Sequence, residues 1–157
     1  MDTQDWYLFG HLAGVFLWLA AAGLTTGTAI AAGRVKAATT AVTLLDIQRR
    51  SELIVTSAGA LLAVVFGTLL VDEGGFEYGD PWVSAAYTLL IVVLAVDHGY
   101  FMRKNRKIRA AAAALGNGEV TPEVSQQLND PVMTAVGALL DVSFIVFLWL
   151  MIAKPGG

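Results

Sequence analysis

Four stretches of this 157-residue chain are long enough to cross a bilayer and nearly free of charge: Trp6–Gly33, Leu53–Val71, Pro81–Met102 and Pro131–Ala153. A hydrocarbon core about 30 Å thick needs about 20 mostly apolar residues in helical form. Within the four runs the Asp, Glu, Lys and Arg residues are Asp97 and Asp141 alone. A soluble helical core would need wide polar faces, and these runs carry none. Composition agrees: 56% of residues are hydrophobic and 15% charged, with a mean hydropathy of +0.64. The expectation is an all-α integral membrane protein, a four-transmembrane-helix antiparallel bundle forming one membrane domain over residues 1–157, with the lipid bilayer as its first partner. The first run follows an acidic start, "MDTQDWY", and at 28 residues is too long for a signal-peptide core, so it reads as a retained helix.

Charge sets the expected orientation. The segments Arg34–Glu52 and Arg103–Asp130 hold nine of the ten Lys and Arg residues, the exception being Lys154. The positive-inside rule places both segments in the cytoplasm and both termini outside, with Trp6, Tyr7, Trp82 and Trp149 near the outer interface. Nucleic-acid binding has no support, because no basic stripe is interleaved with base-stacking aromatics. Without cysteine, disulfides, thiolate metal sites and thiol nucleophiles are excluded.

The connections carry their own grammar. The outer loop "VDEGGFEYGDPW" clusters Asp72, Glu73, Glu77 and Asp80 without recognisable cation-ligand spacing, and reads as a short solvated turn. Helix three is expected to continue through "RKNRKIRAAAAAL" and to stop at Gly116-Asn117-Gly118. "TPEVSQQL" reads as a short amphipathic helix capped by Thr121 with Pro122 at its first position, and Asp130-Pro131 opens the last span in the same way. Small residues mark packing faces: Gly10 with Gly14 and Gly23 with Gly27 on the first span, Ser57, Ala60, Ala63 and Gly67 on the second.

Ionisable residues within spans are costly and are candidate functional positions. They are His11, Asp97, His98 and Asp141, with Glu52 at the inner start of the second span. From helical rise, His11 lies about 7 Å below the outer boundary, Asp97 and His98 about 7–9 Å above the inner one, and Asp141 roughly 15 Å deep. Two axial imidazoles must meet one iron, so His11 and His98, roughly 15 Å apart in height, do not share a haem. Gly14 and Trp18 share the face of His11, Gly14 leaving room for a flat ligand or a neighbouring helix, and Tyr87 lies at the same depth as a hydrogen-bond partner or iron ligand. Asp97 is expected to pair with Arg49, Arg50 or Arg103, and Asp141 to be protonated or paired with Ser143, Thr56, Ser57 or Thr88. A proton route through Glu52, Asp97/His98, Asp141 and His11 would need water at every step.

The stretches "LFGHLAGVFLW", "EGGFEYGDPWV" and "FLWLMIAKP" resemble the small bacterial integral-membrane proteins of domain-of-unknown-function family 2269 along nearly the whole chain. That resemblance implies the fold and a bacterial plasma (inner) membrane location, and no reaction. "GHLAGVFLW", "RRSELIVTSAGALLAVVFGTLL" and "DHGYFMRKNRK" are more distantly similar to the membrane-bound, haem-associated protoporphyrinogen oxidase and to copper-resistance D-type membrane domains. In that oxidase a first-span histidine and a third-span lysine matter; His11 matches the first, while Ala86 or Tyr87 stands where the lysine would be. The likeness therefore implies haem or porphyrin contact at most.

Two functions of different class follow. One is an accessory or small-ligand-binding membrane subunit, in a homo-oligomer or larger membrane complex, with Asp141 and the Asp97/His98 cluster serving assembly. The other is a redox module binding haem b through His11, with Tyr87 opposite. The absence of any reaction signature favours the first.

Overall fold

The computed structural model describes residues 2–156. Helix α1 spans Thr3–Ala32, α2 Ala38–Glu73, α3 Pro81–Ala114, α4 Pro122–Leu128 and α5 Pro131–Ala153. Helices α1, α2, α3 and α5 supply the four spans, and the chain is an all-α four-helix membrane bundle. The Lys/Arg-rich end and the end bearing the acidic turn are called the basic and acidic ends below.

Local signals act where expected. Asp2 and Asp5 cap α1 reciprocally, each carboxylate accepting from the other's backbone N–H (2.9 and 3.1 Å). Thr121 Oγ1 accepts from Val124 N, and Asp130 Oδ1 accepts from Val132 N at 2.8 Å, so both proline-started helices open on a side-chain cap. Helix α3 runs to Ala114, and Gly116 takes the left-handed conformation (φ 57°) that ends it.

Helix α2 departs from expectation. The residues before Leu53 are not a connecting segment but 15 further helical residues, starting at Ala38. Their apolar stripe is narrow: Ala38, Ala41 and Leu45 are buried at helical spacing while Arg49 and Arg50 face out. They pack on the basic end of α3 at Ile108 and Ala112. Arg109 Nε and Nη2 donate to the two carboxylate oxygens of Asp46 at 2.5 and 2.9 Å. Lys104 pairs with Asp130. Val120 N donates to Lys36 O (2.7 Å) and Asn129 Nδ2 to Gly33 O (3.0 Å), tying the connections together.

Within the spans, α1 lies closest to α2 and α3 packs on α5. The first contact is set by glycine. A side chain at Gly14 would meet Gly59 O at 2.8 Å, and one at Gly59 would meet Trp18 N at 2.7 Å. Backbones can approach this closely only where neither helix carries a Cβ, which is how helices adhere when lipid offers no hydrophobic drive. The expected face on α2 is thereby corrected: Gly59, Ala60, Ala63 and Gly67 form it, while Ser57 is exposed and bonds back to Glu52 O. Gly23 and Gly27 meet nothing within 4 Å and are not a packing pair; over that stretch α1 stays against α2 but buries Ala21, Thr28 and Ala32, leaving both glycines on its exposed side.

Two small cores join the pairs. At mid-depth Trp18, Ala60 and Val93 gather Leu90, Leu140, Phe144 and Phe147, with Trp18 edge-on to Phe144 at 5.2 Å. At the acidic end Val71, Trp82, Val83 and Leu150 pack with Phe76. Trp82 is therefore a buried core residue, unlike Trp6 and Trp149, which face outward. Lys154 Nζ sits 4.2 Å from the centre of the Phe76 ring, a cation–π contact that closes this end.

Replacing Gly14 by Val should cost about 1–3 kcal/mol by overpacking against fixed backbone, whereas Gly23→Val, facing open space, should leave thermal unfolding in detergent unchanged; equal melting of the two variants would contradict the assigned contact. The Arg109 guanidinium holds the Asp46 carboxyl, outside the apolar span, below the ordinary carboxylate range. Its contribution is thus full at neutral pH and lost as pH falls through that lowered value. Asp46→Asn should lower stability at pH 7 and flatten its decline in acid, as read by melting temperature against pH.

Candidate functional site

Between the α1/α2 pair and the α3/α5 pair, on the basic side of the Trp18 cluster, lies a cavity of about 390 Å³. Trp18, Val93 and Phe144 form its roof toward the acidic end, and Phe101 and Met133 supply further apolar wall. Into this apolar space project Glu52, Asp97 and Asp141, joined by Gln48, Thr25 and Thr26. Arg34 lines the cavity at its basic end.

Two of the carboxylates occupy an unusual backbone. Helix α2 widens into a π-helical turn over Glu52–Thr56, and α3 does the same over Asp97–Phe101. Such turns lodge one surplus residue in a helix and re-aim the side chains beyond it, and they recur at functional positions. Here each π-turn begins on the acidic residue that lines the cavity.

The polar groups are incompletely partnered. Gln48 Nε2 donates to Glu52 Oε1 at 3.2 Å, but Gln48 Oε1 has no partner although the residue is only 1% exposed. Asp97 Oδ2 and Thr25 Oγ1 are likewise buried without a hydrogen bond. Asp141 Oδ2 accepts from Thr26 Oγ1 at 3.2 Å across the seam between α1 and α5. Expected pairings are corrected: Asp141 meets Thr26 rather than Ser143, Thr56, Ser57 or Thr88, and Ser143 Oγ donates to its own helix at Leu140 O. Asp97 forms no ion pair with Arg49, Arg50 or Arg103 among the described residues; these arginines face outward. His98, with its side chain 48% exposed, lies beside Asp97 at 3.4 Å and outside the cavity.

His11 belongs to a different place. It is buried against α2, its Nδ1 donating to the Ala63 carbonyl at 2.8 Å. Gly67 makes that approach available, since a Cβ there would stand 3.0 Å from the imidazole nitrogen. Because a carbonyl only accepts, Nδ1 is the nitrogen that donates here, which in a neutral ring leaves Nε2 as the acceptor. Tyr87 does not face His11 through a hydrogen bond; its hydroxyl is paired with Thr68 Oγ1 at 2.7 Å. Of the two occupants expected beside Gly14, a flat ligand or a neighbouring helix, the structure has the helix, since the backbone of α2 fills the space. His11 thus offers one axial nitrogen, while the space at Gly14 is taken by α2 and the Tyr87 hydroxyl is engaged by Thr68. Of the expected site residues, Trp18, Glu52, Asp97 and Asp141 meet at the cavity, while His11, Gly14, Tyr87 and His98 do not.

Gln48, Thr25, Thr26 and Arg34 were not expected at a site. For Gln48 a signal existed: it stands four residues before Glu52, hence on the same helical face, once that stretch is recognised as helix. Among the described residues no group of three or more His, Asp or Glu side chains is placed to hold a metal ion. The cavity is chemically an acceptor-rich recess in an apolar wall.

No curated protein and no solved structure matches this chain. Residues 7–155, covering both ends of every span but the first turn of α1, match the family described as predicted integral membrane protein (DUF2269), and the chain belongs to that family.

Proposed function

We propose that the protein is a small-ligand-binding membrane subunit whose ligand occupies the cavity between the two helix pairs. The observation that supports this reading is the convergence of Glu52, Asp97 and Asp141 on one apolar-walled space of about 390 Å³. Ligand sites are typically of this size, mostly apolar and furnished with a few convergent polar groups. Intramembrane carboxylates are otherwise too costly to retain in number. In this reading the basic end lies in the cytoplasm, by the positive-inside rule, and the cavity opens inward across a bacterial plasma membrane.

The absence of native cysteine makes the test direct. Thr134→Cys places a thiol in the cavity wall and Ala135→Cys one on the exposed face beside it. In inside-out vesicles a membrane-impermeant thiol reagent should modify the first and spare the second, with right-side-out vesicles protecting both. Labelling of Thr134→Cys only from the outer side would overturn the inward assignment, and no labelling from either side would overturn an aqueous cavity.

The alternative, a haem b or porphyrin-binding redox module on His11, draws support from the free Nε2 alone. Its measurement is the visible spectrum of protein expressed with ample haem. The expected outcome is no Soret band; a band abolished by His11→Ala would favour the redox module instead.

A further inference from the structure

Around Gln48, Glu52 and Asp97 the cavity presents mostly hydrogen-bond acceptors. Glu52, Asp97 and Asp141 bring carboxylates, which accept when ionised. Gln48 has spent a donor on Glu52 and presents its carbonyl oxygen unpartnered, in a residue 99% removed from solvent by its 1% exposure. Thr25 Oγ1 is a further buried atom without a hydrogen bond, and Asp97 Oδ2 has only His98 Nδ1 beside it, at 3.4 Å. Arg34, which lines the same cavity, forms no ion pair with any of these carboxylates among the described residues. A buried acceptor without a donor costs about 1–3 kcal/mol, so Gln48 Oε1 favours a molecule that brings one.

We propose that the cavity holds an amphipathic amine: a protonated nitrogen bearing N–H bonds at Gln48, Glu52 and Asp97, and an apolar body against Trp18, Phe101 and Phe144. This inference rests on the cavity being a ligand site and adds the ligand's chemistry. An alkylammonium group would bring positive charge and up to three donors to Gln48, Glu52 and Asp97, none of which, among the described residues, is paired with Arg34, the cation of the wall. A quaternary ammonium supplies the charge without a donor, and a neutral alcohol a single donor without the charge. The lone-pair oxygens therefore distinguish the three classes. A metal ion fits less well, because among the described residues the carboxylates do not group closely enough to coordinate one. Apolar wall makes up the roof and one side, so the molecule that fills the space is only partly polar.

The test uses the full chain in nanodiscs of zwitterionic lipid, which limits electrostatic partitioning of the probes into the bilayer. Binding at pH 7 is measured by equilibrium dialysis for 2-phenylethylamine, its N,N,N-trimethyl analogue and 2-phenylethanol, with empty nanodiscs subtracted. The amine should bind at least about tenfold more tightly than either analogue, the difference expected of charge-assisted hydrogen bonds. Gln48→Met should weaken the amine roughly tenfold and leave the trimethyl analogue unchanged. Ala138→Trp, which fills the cavity, should abolish binding of all three, and Ala135→Trp on the outer face should not. Equal binding of the amine and either analogue would overturn the amine assignment while leaving the cavity a ligand site, provided Ala138→Trp blocks it. Amine binding indifferent to both Gln48→Met and Ala138→Trp would locate it elsewhere and overturn the inference. No binding of any probe to protein with an unchanged melting temperature would overturn both this inference and the cavity reading beneath it.

Discussion

The bundle depends on the approach of two backbones, α1 at Gly14 and α2 at Gly59. In lipid the faces of two helices gain nothing by hiding apolar surface from water, so adhesion must come from close contact itself. The glycine pair provides it: each lies where a Cβ on the other would collide with backbone. That approach carries the Ala63 carbonyl to His11 and seats Trp18 against Ala60. It also makes α1 and α2 a tight unit, leaving α3 and α5 to pair separately. The two units are then joined by the Trp18 cluster, the Trp82 cluster and the ion-paired basic end. The space between those joints is the cavity.

Much of this architecture was legible in residue order, because the bilayer simplifies the physics. Long uncharged runs have one stable form in hydrocarbon, the helix that satisfies its own backbone. Thr121-Pro122, Asp130-Pro131 and Gly116 announce helix ends through local chemistry alone, and each behaves as its type requires. What stayed hidden was the basic-end extension of α2. Its buried stripe is made of Ala38, Ala41 and Leu45, small or solitary, amid threonine and arginine, so the periodic signal is faint. It is held by Asp46–Arg109, a pairing across 63 residues that no local pattern encodes.

The candidate site was half legible for a related reason. Intramembrane carboxylates stand out singly by their cost, so Glu52, Asp97 and Asp141 were visible; that they share one cavity depends on how two π-turns aim α2 and α3. Gln48 bears no charge and lay in a stretch that did not read as helix. His11 attracted interest on the same ground of cost, yet its Nδ1 is engaged by a single backbone carbonyl away from the cavity. The expense of burying a polar group identifies residues that need partners; it does not separate those the protein satisfies from those it leaves open.

One feature of the cavity bears on how it would fill. Asp141 and Thr26, which join α1 to α5, both line the cavity and are both exposed, so their hydrogen bond bridges a seam at which the cavity is open. With the four spans set across a membrane, as proposed, that seam gives the recess a flank on the bilayer as well as an end toward the basic side. A molecule dissolved in lipid meets that flank at its membrane concentration, which for an apolar-bodied solute far exceeds its concentration in water. The bilayer then acts as a reservoir, and modest intrinsic affinity suffices for high occupancy.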